Sequence, residues 1–370
     1  MFDLINKYLT LGNALLVLIV LLLFIFFNLK NKFRIIIPYL ISFIFSIYCY
    51  EELILKSDSK IISLGDYASG NYFQKQLPGI GYGPPEKGQY TSLKINNTDT
   101  IYNVNYTIID KIRHTPNSLK NSQKQILFFG CSQTFGEGLE DDQTLPYYFG
   151  EETSRTFTIK NYGFHGYGAH NIHALIKTLK KDNFNNYDTT AVYNLYWYHI
   201  GRAINNISGS EPWYEVENDS LVLKGSFFER DNNKSLLNTN RYIVALNNRL
   251  VKRSNIYKKH FNKASSNELK DFSNYDIKRT LFLVKDIADI FKSYNVNFSL
   301  VLDKQLHASK QVVNFFKINN INTFCLECEI SDFETNPIYR IPLDGHNSSN
   351  LNKLHAKNLK DKLLSLRLIN

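Results

Sequence analysis

The sequence predicts an α/β domain built on a parallel sheet and preceded by two membrane-spanning helices. From Ile126 to the C-terminus, short apolar runs alternate with helical patterns, which is typical of parallel strands joined by helical crossovers. Before this region, the uncharged runs Leu11–Phe27 and Ile35–Tyr50 have nearly the length needed to cross a bilayer. We therefore divide the 370 residues into membrane segments (1–52), a connector with accessory β structure (53–125) and the α/β domain (126–370).

The two apolar runs favour membrane helices over a cleaved signal peptide, because no small-residue cleavage site follows the first run. The connector between the runs contains Lys30, Lys32 and Arg34. Positive charge is retained on the cytoplasmic side of a membrane, so this connector is expected inside and the region after Tyr50 outside. The sequence thus predicts a multi-pass protein of the cytoplasmic membrane, with two helices and an extracytoplasmic domain.

Composition excludes some other classes of function. The formal net charge of +9 is scattered rather than clustered, which predicts no nucleic-acid partner. Cys325 and Cys328 are three residues apart, and in an oxidising compartment they are candidates for a disulfide. The stretch Ile321–Ile330 has the composition of a strand, however, where such a pair points to opposite faces, so two thiols are favoured. A zinc site needs a second ligand pair, which we do not find, and no metal is expected.

The remaining elements follow from hydrophobic periodicity and turn residues. Short apolar runs rich in β-branched or aromatic residues predict strands, and apolar residues spaced by three or four predict helices. Gly79–Gly88 is rich in turn residues, and Gly209–Asn240 is polar and is expected to be an irregular insertion. The predicted strands are Ile101–Ile109 (or a hairpin arm), Ile126–Phe129, Thr156–Asn161, Thr190–Tyr196 and Phe298–Leu302; the predicted helices are Leu145–Phe149, Asn171–Lys181, Arg241–Lys259, Tyr275–Tyr294, Ser309–Ile318 and Asn350–Leu368.

The candidate nucleophile is Ser132, in the sequence GCSQTFGEG that directly follows the strand Ile126–Phe129. Ligands of open α/β sheets bind at such strand ends, and the carboxyl ends of parallel strands converge in space. Asp344 and His346 lie in a loop before the final helix, more than 200 residues later. Serine, histidine and aspartate are the residue types of a nucleophile, a general base and an orienting carboxylate. A P-loop is excluded because Gly136 is followed by Glu137 rather than by lysine.

These motifs resemble those of the SGNH, or GDSL-like, serine hydrolases from about Ile126 to Leu368. The family's Gly-Asp-Ser block reads Gly130-Cys131-Ser132 here, and its Asn with a Gly five residues later matches Asn161 and Gly166. The resemblance implies a three-layer, flavodoxin-like domain, with catalytic Ser132, His346 and Asp344. It also implies an oxyanion hole formed by Ser132, Gly166 and a third donor.

The chain departs from the family pattern at two places. The third block normally supplies an asparagine, whereas Trp197, Tyr198 and His199 stand here, so His199 is the candidate third donor. The family Asp and His are usually separated by two residues rather than one. The interpretation therefore stays open between a Ser132–His346–Asp344 triad and a dyad in which Asp344 only shapes the turn.

The resemblance and the expected location together imply a serine esterase or O-acyltransferase without a cofactor. Its partner would be an acylated carbohydrate of the cell envelope, with acetyl as the acyl group. The alternative is a catalytically inactive carbohydrate-binding or assembly module of the same fold, which the altered third block favours. Aromatic residues following the strands form either a sugar-stacking rim or part of the core, namely Tyr196, Trp197, Tyr198, Trp213 and Tyr214.

Overall fold

The computed structural model describes residues 11–28, 36–50, 61–70, 72–116, 118–120, 122–181, 184, 187–205, 209–233 and 269–369. The chain divides into two units, residues 1–60 with 232–267 and residues 61–231 with 268–370. In the first unit the described residues form the helices Leu11–Asn28 and Ile36–Cys49. Within the described ranges, no helix combines the length and the apolar character needed to cross a membrane. The predicted helix Arg241–Lys259 lies outside the described residues.

The second unit is built on a mixed sheet. The strands of this unit are β1 (Ile61–Gly65), β2 (Gln74–Leu77), β3 (Gly81–Gly83), β4 (Gly88–Asn96), β5 (Asp99–Ile109), β6 (Ile112–Arg113), β7 (Lys124–Phe129), β8 (Thr158–Asn161), β9 (Asp188–Leu195), β10 (Pro212–Glu217), β11 (Ser220–Ser226), β12 (Asn297–Leu302) and β13 (Asn322–Phe324). As far as the described residues show, nine of them form the main sheet, in the order β1-β4-β5-β6-β8-β7-β9-β12-β13. The last five strands in this order pair in parallel, as the sequence predicted for the α/β domain. Numbered along the chain, these five have the order 2-1-3-4-5, which is the flavodoxin-like order.

Helices cover both faces of the parallel strands, which gives the three layers that the resemblance implied. Successive residues of β7 point to opposite faces, so Ile126 and Phe128 pack in one apolar cluster, and Leu127 and Phe129 pack in the other. The first face is covered by the helices Leu145–Glu152 and Ser349–Ser365, and the second by Ala169–Thr178, Asn274–Ser293 and Lys310–Ile318. Shorter helices are Asp66–Ser69, Ser132–Phe135, Tyr198–Arg202, Phe227–Asn233 and Lys304–Ala308.

The accessory β segment extends the main sheet instead of forming a separate layer. β4 and β5 form a long antiparallel hairpin, and the short strand β6 joins this hairpin to β8. The prediction of a strand or hairpin arm over Ile101–Ile109 thus corresponds to β5. Because the hairpin continues the sheet, it brings side chains of β4 to the same edge as the loops that follow the parallel strands.

Two local predictions were wrong. The region Gly209–Asn240 is not irregular throughout, since it contains the hairpin β10–β11 and the helix Phe227–Asn233. Asn218 and Asp219, both with positive φ, form its tight turn. Cys325 and Cys328 form a disulfide with Cα atoms 5.4 Å apart. β13 ends at Phe324 and the chain then turns into a 3₁₀ helix, which brings the two side chains to the same side.

Candidate active site

Ser132 is the first residue of a one-turn helix, Ser132–Phe135, that directly follows β7. The turn ends at Gly136, whose φ of 86° lies in the left-handed region that favours glycine. As the sequence predicted, the serine thus lies at the carboxyl end of a central parallel strand. The residue keeps 5% of its surface exposed, and the side chain of His346 keeps 19%. The pair therefore reaches solvent mainly through the imidazole.

The structure brings Ser132, His346 and Asp344 into one hydrogen-bonded chain. The hydroxyl of Ser132 donates to Nε2 of His346 across 2.9 Å. Nδ1 of the same ring donates to Oδ2 of Asp344 across 2.5 Å. A single residue between aspartate and histidine thus suffices for contact, because Gly345 has a positive φ of 85° that bends the loop. This is the geometry of a nucleophile, a general base and an orienting carboxylate.

Charged neighbours favour the ionised form of this carboxylate and the protonated form of the imidazole. Burial opposes ionisation of Asp344, but the hydrogen bond from His346 and the ammonium of Lys94 outweigh it and lower the pKa of Asp344 to about 2. Burial also opposes protonation of His346. The hydrogen bond to Asp344 and the negative charges of Glu137 and Asp344 outweigh that effect and raise the pKa of His346 above its usual value.

Glu137 is a second carboxylate at the imidazole that the sequence reasoning did not assign to the site. Its Oε2 lies 3.5 Å from Nε2 of His346 and accepts a hydrogen bond from Nδ1 of His165 across 2.7 Å. Tyr67 also hydrogen-bonds to this carboxylate. Burial opposes its ionisation, but the two histidines outweigh burial and lower the pKa of Glu137. The imidazole thus contacts two negative charges, Asp344 at Nδ1 and Glu137 beside Nε2.

Side chains that bond backbone atoms hold the loops of the site together. Arg113 is fully buried and donates to the carbonyls of Phe135, Gly136 and Leu139, all in the loop after the nucleophile. Asn161, which matches the family's second block, donates to the carbonyl of Thr134 across 3.1 Å. These bonds fix the loop after β7 against β6 and β8.

Two further contacts join the loops around the serine. The side-chain oxygen of Gln133 accepts from the amide of Asn347 across 2.9 Å, which ties the nucleophile turn to the histidine loop. Gly163 packs so closely on the turn that a Cβ would lie 2.5 Å from the amide nitrogen of Phe135. The second loop therefore requires glycine at this position.

The predicted oxyanion donors differ in whether they already have a hydrogen-bond partner. The amides of Ser132 and Gly166 have no hydrogen-bond acceptor among the described residues, and Gly166 directly follows the His165 that contacts Glu137. Among the described contacts, His199 has none with Ser132, His346 or Asp344. Its ring is completely buried, stacks on Tyr193 and shares a hydrogen bond of 3.0 Å with that hydroxyl. Burial, with the nearby Arg202, lowers the pKa of His199 well below its usual value.

Cys131, beside Ser132, is a buried thiol that packs 3.3 Å from the hydroxyl of Tyr198.

Two clusters of possible metal ligands occur within the described ranges. In the cluster of His307, Cys325 and Cys328, the disulfide occupies the sulfurs that a zinc ion would need. The other cluster consists of Glu137, Asp344 and His346, whose polar atoms contact one another.

No protein-family model matches the sequence, and no curated protein has detectable sequence similarity to it. Among solved structures, the chain is similar to GDSL-type proteins. A protein assigned to the lipolytic G-D-S-L family from Desulfitobacterium hafniense DCB-2 has 10% identity and a TM-score of 0.34, covering 66% of this chain and 99% of that one. A carbohydrate acetylesterase from Sinorhizobium meliloti has 11% identity and a TM-score of 0.34, covering 66% and 99%. A member of the lipolytic G-D-S-L family from Veillonella parvula DSM 2008 has 11% identity and a TM-score of 0.31, covering 64% and 97%.

Proposed function

We propose that this protein is a serine esterase or O-acyltransferase that forms an acyl ester on Ser132. The observation that carries the proposal is the hydrogen-bonded chain from Ser132 through His346 to Asp344. A serine hydroxyl is a weak nucleophile unless a base accepts its proton, and the imidazole lies within reach of that proton. The carboxylate fixes the tautomer in which Nε2 is free to accept it.

The reaction follows from this geometry. His346 takes the proton of Ser132 while Oγ attacks the acyl carbonyl, and we assign binding of the developing oxyanion to the amides of Ser132 and Gly166, which have no acceptor among the described residues. The bond between the acyl carbon and the alcohol oxygen then breaks, and the imidazolium returns its proton to that oxygen. Water, or a hydroxyl group of an acceptor, attacks the acyl-serine in the reverse sequence. With water the result is hydrolysis, and with a sugar hydroxyl it is acyl transfer.

We further propose that the substrates are acetyl esters of cell-envelope carbohydrate, reached from an extracytoplasmic position at the membrane. In support, both N-terminal helices carry exposed apolar side chains, among them Leu16, Val17, Val20, Tyr39 and Phe43. The basic connector between them favours the orientation with the following region outside. Reporter fusions after Glu52 test this location. An enzymatically active cytoplasmic reporter there would contradict it.

A direct assay tests the enzymatic proposal. The full-length protein is incubated with an O-acetylated envelope polysaccharide, and released acetate and acetylated acceptor sugar are measured separately. Release of acetate or transfer of the acetyl group supports the proposal, and the ratio of the two products distinguishes hydrolysis from transfer. The absence of both, with this polysaccharide and with an activated acetyl ester, would contradict it.

The alternative function is a binding or assembly module without catalysis. The observation that favours it is the complete burial of the His199 ring, which bonds Tyr193 and has no described contact with Ser132 or His346. Ser132→Ala separates the two functions. A binding module keeps its polysaccharide affinity and its cellular role in this variant, whereas an enzyme keeps at most the affinity.

Glu137→Gln is expected to shift the acidic limb of the kcat/KM profile to lower pH. The base must be neutral to act, and the negative charge of Glu137 raises the pKa of His346, so its removal lowers that pKa. Other charged or titratable groups nearby are Asp344, Lys94, His165, Tyr67 and Arg113. The pH profile and an NMR titration of the His346 ring measure the effect. Glu151→Gln, which removes an exposed carboxylate, serves as control. An unchanged His346 pKa would show that Glu137 acts only through packing.

A further inference from the structure

A cavity of about 430 Å³ lies beside the catalytic residues and has no part in the chemistry described above. Gln133 and Gly345, the direct neighbours of Ser132 and His346, line its inner end. The segments that follow β9 and β12 form its sides. In the strand order 2-1-3-4-5, ligands bind outside the carboxyl ends near the point where the strand order reverses, which here lies between β7 and β9. The volume falls in the range of about 300–1,000 Å³ typical of small-molecule sites.

One side of the cavity is aromatic. Tyr196, Trp197 and Tyr198 follow β9, and the rings of the two tyrosines stack with centroids 5.2 Å apart. All three residues are partly exposed, although Trp197 also packs against the core. Trp213 and Tyr214, the other aromatics considered for a sugar-stacking rim, are buried and do not line the cavity. Three of the five candidate aromatics therefore line the cavity.

The lining of the cavity also includes polar residues, among them the buried acids Glu327 and Asp303. Glu327 keeps only 7% of its surface exposed, and one carboxylate oxygen accepts from the amide of Lys304 across 3.1 Å. The other oxygen lies 3.6 Å from Nη2 of Arg340, which is too long for a direct hydrogen bond. Burial raises the pKa of Glu327 to about 7 and that of Asp303 to about 6. Near neutral pH Glu327 is thus able to donate as well as accept a hydrogen bond, whereas both oxygens of Asp303 accept from backbone amides.

The charges around the cavity are balanced within it. Lys304 pairs with Glu334 across 2.9 Å, and Arg340 lies against Glu327 while also bonding Asn347 and covering the ring of Phe333. No strong excess of one sign is left to select an ion. The disulfide between Cys325 and Cys328 closes the turn that carries Glu327 and so restricts the position of this acid.

We propose that this cavity binds the carbohydrate part of the ester, as a neutral sugar ring lying on the aromatic side with its hydroxyl groups toward Glu327 and Arg340. The inference rests on the proposed function. A sugar ring has an apolar C–H face and a rim of hydroxyl groups, which matches a cavity lined by both aromatic and hydrogen-bonding residues. An alkyl chain would offer no hydrogen bond to the carboxylate oxygen of Glu327 that lies 3.6 Å from Arg340, at a cost in binding free energy.

The position of the cavity determines what it does in the reaction. Gln133 and Gly345, which line the cavity, are next in the chain to Ser132 and His346. A sugar bound there is thus assigned to present its hydroxyl oxygen to Nε2 of His346, the atom that gives a proton to the leaving alcohol or takes one from the acceptor. The same site therefore serves the leaving sugar in hydrolysis and the acceptor sugar in transfer. A small alcohol such as methanol does not fill it.

The test compares the full-length protein with Glu327→Gln and with the matched control Glu329→Gln, two residues away on the same 3₁₀ turn but paired with Lys362 outside the cavity. The substrates are mono-O-acetylated methyl glycosides of glucose, mannose and galactose, with methyl acetate as reference. We expect the ratio of kcat/KM for the best sugar ester to that for methyl acetate to fall about tenfold or more in Glu327→Gln. Trp197→Leu is expected to lower the same ratio, whereas Glu329→Gln keeps the ratio of the unchanged protein.

Binding is measured separately, by calorimetric titration of the three methyl glycosides into Ser132→Ala with or without Glu327→Gln. A glycoside that binds Ser132→Ala and loses about tenfold or more in affinity with Glu327→Gln supports the site. The proposal would be overturned if Glu327→Gln lowered kcat/KM for the sugar ester and for methyl acetate by the same factor, or if no glycoside bound to Ser132→Ala. If neither ester is cleaved by the unchanged protein, the proposed catalysis fails, while the titration still decides whether the cavity binds sugar.

Discussion

Ser132→Ala is expected to lower kcat/KM for an activated acetyl ester by about 10⁴-fold or more, because no other hydroxyl occupies the position from which the acyl carbon is attacked. The neighbouring Cys131 does not substitute, since its buried thiol faces Tyr198. Alanine removes one small atom at a nearly buried position, so the fold is expected to persist. Initial rates with the purified full-length protein measure the loss, with circular dichroism as a check on folding.

The matched control for this prediction is Ser365→Ala, at the end of the final helix, where the serine hydroxyl only bonds the carbonyl of Lys362. Its activity should equal that of the unchanged protein. If Ser132→Ala kept activity within about tenfold, the nucleophile would have to be a different group, and an acyl-enzyme on this serine would be wrong.

Asp344→Asn is expected to have the second largest effect, a loss of about 10²–10⁴-fold in kcat/KM. Asparagine keeps the shape of the side chain but not the charge that holds Nδ1–H in place and stabilises the imidazolium. It also leaves the Lys94 ammonium without its carboxylate partner. The pKa of His346 should fall in this variant, because the hydrogen bond and the charge of Asp344 both raise it. Rates across pH and an NMR titration of the His346 ring measure the two effects.

This variant also decides between the triad and the dyad. Asn336→Ala serves as control, since this asparagine caps a turn near the same loop by accepting from the amide of Ile338. A loss below about tenfold in Asp344→Asn, with an unchanged imidazole pKa, would mean that Asp344 shapes the loop and that Ser132 and His346 act as a dyad.

The parallel part of the fold was predictable because its signals are local. Ile126–Phe129 is an apolar run of strand length ending at small residues, and the runs within β9 and β12 have the same character. The order of the five parallel strands, 2-1-3-4-5, is the flavodoxin-like order that the family resemblance implied. The position of Ser132 directly after β7 belongs to the same local pattern. The contact between Ser132 and the loop that carries His346 could be expected because the carboxyl ends of parallel strands converge.

The roles of Lys94 and Glu137 depend on contacts with residues far away in the sequence, which local sequence patterns do not indicate. Lys94 lies on an accessory hairpin strand 250 residues before Asp344, and nothing in its neighbourhood distinguishes it from a solvated lysine. Glu137 carried a weak signal, as a carboxylate between two glycines beside the nucleophile. Its role depends on His165, 28 residues later.

His199 and the cysteine pair show how local reasoning failed. A histidine directly after a central strand was expected to face the cleft, but the short helix Tyr198–Arg202 turns its ring under Tyr193, where burial is complete. Cys325 and Cys328 were assigned to a strand because their neighbours are apolar. The chain turns after Phe324, so the spacing of three residues brings the sulfurs together. In the hairpin β10–β11, the dipeptide Asn218-Asp219 was the turn signal that could have been recognised.

In the proposed mechanism, His346 activates Ser132 as a nucleophile across 2.9 Å. Labelling of the full-length protein with a fluorophosphonate probe, followed by peptide mass spectrometry to locate the adduct, tests this activation. We expect a single adduct on Ser132, abolished in Ser132→Ala and strongly slowed in His346→Gln. Labelling at another residue, or none on Ser132 in protein shown to be folded, would contradict it.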